Sequence, residues 1–192
     1  MIDLAVSQLQ SRLSELAWLD IVAGVVREQK LNVDGTIKTL PAMPHPDKPD
    51  EYALLSPHDA YSGIAYFDVL SNQKRNDLSG GRAYMMEAVV RLVVWINTKR
   101  LSPSAAIPQA MAAIVSKLSG SYSDVAPVGG LCVTPLQEVP KTPAIFAKWT
   151  YDEAESQFLM LPYEYFAFDF QLMFTLSASC PVVNIVRTEL QC

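Results

Sequence analysis

Two stretches of this chain alternate so regularly that long β-strands are the natural reading of both. In residues 84–97, Tyr84, Met86, Ala88, Val90, Leu92, Val94 and Ile96 form an unbroken apolar row, and Met85, Glu87, Val89, Arg91, Val93, Trp95 and Asn97 fill the positions between. In residues 164–177, Phe166, Phe168, Phe170, Leu172, Phe174 and Leu176 point one way, while Tyr165, Ala167, Asp169, Gln171, Met173, Thr175 and Ser177 point the other. Successive side chains on a strand face opposite sides, so each segment buries one face and leaves the other half polar. Fourteen residues at roughly 3.3 Å each reach about 45 Å, more than twice a usual strand. A compact chain of this size has a radius of gyration near ~16 Å, so such strands cross the whole molecule. Strands of that length with a mixed outer face suit a protein that assembles with copies of itself.

Half of the 192 residues are hydrophobic and 18% are charged, which fits one domain with a large core and apolar surface left over for an interface. The formal net charge is −5, with no block of like charges. Stable nucleic-acid binding normally needs a basic face and is disfavoured, whereas an acidic wall suits nucleic acid that must slide past. Cys132, Cys180 and Cys192 are widely spaced and form no C-x-x-C pair, so neither a disulfide framework nor a zinc site follows, and a reducing compartment is expected. Residues 1–16 lack the basic start and continuous apolar stretch of a signal peptide. Glu87 and Arg91 divide the best membrane-spanning candidate, so no membrane association is expected.

The chain reads as a single α+β domain over residues 1–192. Ile2, Val6, Leu9, Leu13 and Leu16 draw one stripe on a helix that ends near Ala17, before a strand-like run at 18–26. Asp34-Gly35 between β-compatible flanks predicts a tight hairpin. Residues 41–57 hold five prolines and predict a long surface excursion without an element of its own. Residues 61–70 resume strand character, residues 71–82 break it with polar residues and Gly80-Gly81, and the flanking strands are expected to pair as an antiparallel hairpin. Ser102 or Ser104 is placed to cap a second helix with Ile107, Met111, Ile114, Val115 and Leu118 as its buried stripe. Pro108 falls in or near its first turn and Gly120 is placed to stop it. Shorter strands are expected at 130–133 and 144–151, and residues 181–192 form a tail with an apolar stretch at 182–186. The predicted fold is a mixed, mainly antiparallel sheet of long strands with both helices packed on it.

Catalytic chemistry is hard to find. His45 and His58, with Asp47, Asp50 and Asp59 nearby, offer imidazole and carboxylate ligands but not the H-x-x-x-H spacing of a helical metal site. A solvated loop is the simpler reading. No G-x-S-x-G elbow presents a serine, and Ser79-Gly80-Gly81-Arg82 lacks both phosphate-loop spacings. Asp152, Glu153 and Glu155 read as an exposed connection rather than a glycosidase pair. The phenylalanine row at 166–174 fits a packed inner face, with a pocket for a greasy ligand as the alternative. No catalytic residue, metal or cofactor is therefore expected. Lys74, Arg75, Asp77 and Arg82 make a mixed-charge tip on the long hairpin and are the candidate subunit-interface residues.

The helical stripe at 2–16, the strands at 61–70, 84–97 and 163–177, and the helix at 107–118 resemble, in order and kind, bacteriophage tail-terminator or tail-completion proteins. The resemblance implies a non-enzymatic virion structural protein, assembled in the host cytoplasm, that forms a homo-oligomeric ring at the head–tail junction. Its implied partners are tail-tube and neck or connector proteins, with DNA passing through the lumen without sequence-specific binding. A tail-tube or other neck subunit is the alternative within that class. An intracellular binding module with an aromatic pocket is the alternative outside it.

Overall fold

The structure is a computed structural model that describes residues 2–45, 47–48, 50–71, 74–77, 83–101, 107–123, 130–146, 148–150 and 162–177. Within these residues the expected α+β architecture is present, with helices α1 (Ile2–Leu13) and α2 (Ile107–Leu118) and two sheets. The larger sheet runs β1 (Ile21–Val25), β5 (Gly63–Val69), β7 (Ala83–Asn97), β10 (Tyr163–Ser177), β9 (Leu131–Val139), β8 (Gly120–Tyr122), with β6 (Lys74–Asp77) added beside β7. Only β1 and β5 run parallel in this sheet; its other pairings are antiparallel. The smaller sheet has the order β2 (Arg27–Val33), β3 (Thr36–Pro44), β4 (Tyr52–Leu54).

The two alternating segments form the centre of the larger sheet. β7 and β10 are 15 residues each and pair without a register break from Ala83↔Ser177 to Asn97↔Tyr163. Met86, Ala88, Val90, Leu92, Val94 and Ile96 join Phe166, Phe168, Phe170, Leu172 and Phe174 in one core. The helical stripes close it: Ile2, Ala5, Val6, Leu9 and Leu13 from α1, and Ala110, Ile114 and Leu118 from α2. Each large side chain so buried contributes roughly 1.5–3 kcal/mol. The phenylalanine row is thus packed core, with Phe170 0% and Phe174 1% exposed. α1 ends at Leu13 rather than near Ala17, and Leu16 continues in a tighter turn by donating its N–H to the Leu13 carbonyl.

Among the described residues, the opposite face of the sheet is covered at one end only. There Ile64, Tyr66, Val93, Trp95, Tyr165 and Ala167 meet Ala23, Val26, Leu55, Ile145, Phe146 and Trp149 in a second core. Trp95 stacks on Phe146 with centroids 5.0 Å apart, and Tyr165 meets Phe146 edge-on. The outer positions of β7 and β10 are therefore apolar where this core lies and mixed polar and apolar beyond it.

Several local readings change. The Asp34-Gly35 turn forms, with φ of 50° and 82°, values suited to the type I′ geometry that matches strand twist. The proline-rich stretch at 41–57 is not free of elements, because β3 runs on to Pro44 and β4 spans Tyr52–Leu54. Proline's fixed φ is compatible with an extended backbone and its carbonyl still accepts: the Leu55 N–H donates to the Pro41 carbonyl at 2.9 Å. The strand expected at 130–133 extends to Val139. A bulge near Leu136 changes the face alternation between Pro135, opposite Phe170, and Gln137, opposite Asp169. The strand expected at 144–151 is instead a 3₁₀ turn at Pro143–Phe146, since Ile145, Phe146 and Trp149 must all reach the second core and an alternating strand would turn neighbours apart. Pro108 is the second residue of α2, and Gly120, with φ of 135°, follows its end. Ser102, Ser104, Arg82, residues 152–155, Cys180 and the tail at 181–192 lie outside the described residues.

Phe170 sits at the centre of the main core, so Phe170→Ala should cost about 3–5 kcal/mol through lost burial and a residual cavity. Thr134→Ala, at an exposed position of β9, should stay within about 0.5 kcal/mol. Urea denaturation measures both, and equal midpoints for the two variants would contradict this packing.

Candidate assembly interface

The uncovered end of the sheet's second face begins with a row of polar residues. Asp68 of β5, Arg91 of β7, Asp169 of β10 and Gln137 of β9 stand directly opposite one another across four adjacent strands. Arg91 grips Asp169 with two bonds, Nε to Oδ1 at 2.8 Å and a terminal nitrogen to Oδ2 at 3.1 Å. Gln137 donates to the same Oδ2 at 2.9 Å. Asp169 is 4% exposed, so its charge is stable there only because the guanidinium fork and the amide occupy its oxygens. The bond to Asp169, above all, raises the pKa of Arg91.

Lys148, carried in by the 3₁₀ turn, extends the row. Its ammonium donates to Asp68 at 2.8 Å and lies 3.3 Å from Glu28 on β2, which ties the smaller sheet to the larger. Burial alone would lower its pKa, but the two carboxylates outweigh burial and raise it. Each of these ionic groups is held by an opposite charge. The row orders strands and offers no free acid or base.

Beyond the row, no described element caps the face, yet it is not fully wet. Met85, Glu87 and Val89 of β7, Gln171, Met173 and Thr175 of β10 and Cys132 of β9 are half-buried, with Gln171 donating to Glu87 at 2.7 Å. A strip of this mixed composition matches the ordinary make-up of a subunit contact.

The hairpin residues singled out from sequence lie at the far end of this strip. Lys74 and Arg75 are not in a loop: with Asn76 and Asp77 they form β6, which pairs Lys74↔Glu87, Arg75↔Met86, Asn76↔Met85 and Asp77↔Tyr84. The cause is nonlocal. β5 stops pairing at Val69↔Val90, and the next residues of the chain regain register along the edge that β7 still presents. Pairing there overrides the weak strand propensity of Lys, Asn and Asp. Asp77 is exposed, while Arg82 and the side chains of Lys74 and Arg75 lie outside the described set.

The histidines serve their own loops. His45 Nδ1 accepts the Asp47 N–H at 3.1 Å, and His58 Nδ1 accepts the Ala60 N–H at 3.0 Å. Among the described residues, no group of three or more His, Cys, Asp or Glu side chains is arranged to hold a metal ion, and no helix is long and apolar enough to cross a membrane. No protein-family model matches the chain, and comparisons with curated proteins and with solved structures give no match.

Sequence reading placed Arg91 and Asp169 on outward faces but could not bring them together, because that needs the β7–β10 register. Gln137 was further hidden by the bulge that reverses the alternation of β9. The only local signal was an opposite charge at an outward position of each long strand.

Removing one partner should expose how the pair is balanced. Asp169→Ala leaves the Arg91 charge beside a largely dry pocket and should cost about 3 kcal/mol, the low end for a buried pair because Arg91 is partly solvated. The double replacement Arg91→Met with Asp169→Leu should recover most of that loss in thermal denaturation. A double variant as unstable as Asp169→Ala would mean that the pair itself, not the orphaned charge, sets the cost.

Proposed function

We propose that this chain is a virion structural protein that forms a ring at the head–tail junction, where it terminates the tail tube and joins it to the head. The observation that carries the reading is the unbroken β7–β10 ladder, capped by helices on one face and, among the described residues, left half-open on the other. Fourteen steps of roughly 3.3 Å make a ladder of about 46 Å, against a radius of gyration near ~16 Å for a chain of this length. A monomer gains nothing evident from a sheet that outruns its own cover, whereas neighbours in a ring would cover it. The net charge of −5 is compatible with DNA passing a lumen wall without adhering. The order of helices and strands supports the same reading through its resemblance to tail-completion proteins.

The test is the state of the purified protein. Light scattering after size exclusion should give a discrete multiple of the 21.2 kDa chain mass, and negative-stain electron microscopy should show closed rings. Open tubes would move the assignment to a tail-tube subunit, and a monomer at high concentration would contradict it. Lys74→Gln with Arg75→Glu should lower the assembled mass without changing circular dichroism, and added salt should weaken the wild-type assembly in the same direction. The glutamine at position 74 avoids placing a second carboxylate opposite Glu87.

A further inference from the structure

A second surface lies at the other end of the long strands. Between β1, the edge of the larger sheet, and β4, the edge of the smaller one, is a cleft of about 660 Å³. Ile21, Val22, Met43 and Ile64 contribute apolar lining, and Leu54 and Tyr61 line it while remaining 42% and 38% exposed. Among the described residues its lining holds two carboxylates, Asp20 and Asp47, and His45, with no lysine or arginine. Asp20 already accepts the Ser62 N–H through one oxygen, and Asp47 is exposed. Apolar lining beside two carboxylates is complementary in charge to a segment that carries basic side chains.

We propose that this cleft receives the β6 end of the hairpin from a second copy of the chain. The inference rests on the ring reading above and names the contact that would build it. Three observations favour this occupant. β6 carries Lys74 and Arg75 against one carboxylate, Asp77, so its net charge is opposite to the cleft's. Its outer edge is paired with no described strand, and an unpaired edge is normally covered in a finished assembly. Finally, the two surfaces cannot meet within one subunit. β6 ends opposite Tyr84, whereas Ile64 in the cleft stands opposite Trp95, eleven residues further along β7, or about 36 Å. A tip on one end and a cleft on the other make a head-to-tail contact, and such contacts close into rings when the rotation permits.

Two variants test it by complementation. The cleft variant, Asp47→Lys with Leu54→Arg, changes two exposed positions and keeps the tip. The tip variant, Lys74→Gln with Arg75→Glu, keeps the cleft. Each alone should remain at the 21.2 kDa chain mass where wild type assembles. Mixed in equal amounts they should form a species of twice that mass and none larger, because one intact tip meets one intact cleft and the second contact is broken. Asp47→Asn, which keeps the side chain's size, should raise the concentration for half-assembly about tenfold if the charge pair is made. Cleft variants that assemble like wild type overturn this contact and leave the ring reading standing. Single variants that stay monomeric yet give no two-chain species on mixing overturn the pairing of tip with cleft. A wild-type chain that never assembles overturns both.

Discussion

The rungs between β7 and β10 set the terms for the rest of the molecule. Because the pairing never slips, every second residue of both strands falls on one side, and the apolar rows merge into a single floor. That floor is wide enough to need two helices, and α1 and α2 each present one stripe to it. The same register places Arg91 opposite Asp169 on the far side. A slip of one residue would bury that pair's neighbours in the wrong core and turn the phenylalanines to water. The bidentate bond and the phenylalanine row thus specify the same register from opposite faces.

The length of that ladder has its own consequences. β5 covers the β7 edge only as far as Val90, and the chain returns as β6 to cover four more positions. Among the described residues, the second core covers only one end of the outer face, through the 3₁₀ turn, Trp149 and the residue after β4. What is left is a half-apolar strip with Glu87 and Gln171 bonded to each other across it. The proposed function grows from this mismatch between the length of the central strands and the reach of what packs on them.

Much of this frame could be read from the residues. Alternation gave the two long strands and the correct inner faces, helical spacing gave both stripes, and Asp34-Gly35 gave the hairpin. What failed depended on partners distant in the chain. β6 is a strand because β7 offers it an edge, not because Lys74-Arg75-Asn76-Asp77 favours extension. β3 passes through Pro41 because the carbonyl on that residue suffices for Leu55. Residues 143–146 turn rather than extend because a buried aromatic site takes in both Phe146 and Trp149. The ion pair stayed hidden for the same reason: its members are 78 positions apart, and only the register joins them.

The central claim is that this ladder separates two edges which are completed by neighbouring copies rather than by the chain itself. Amide hydrogen exchange, followed as protein concentration is raised, tests it most directly. The account predicts that amides of β7 and β10 exchange slowly at every concentration. The outward-facing amides of residues 74–77 and 52–54, those not already bonded to β7 or β3, should become protected only as the chains assemble. Exchange at both edges that is unchanged from dilute to concentrated protein would contradict it.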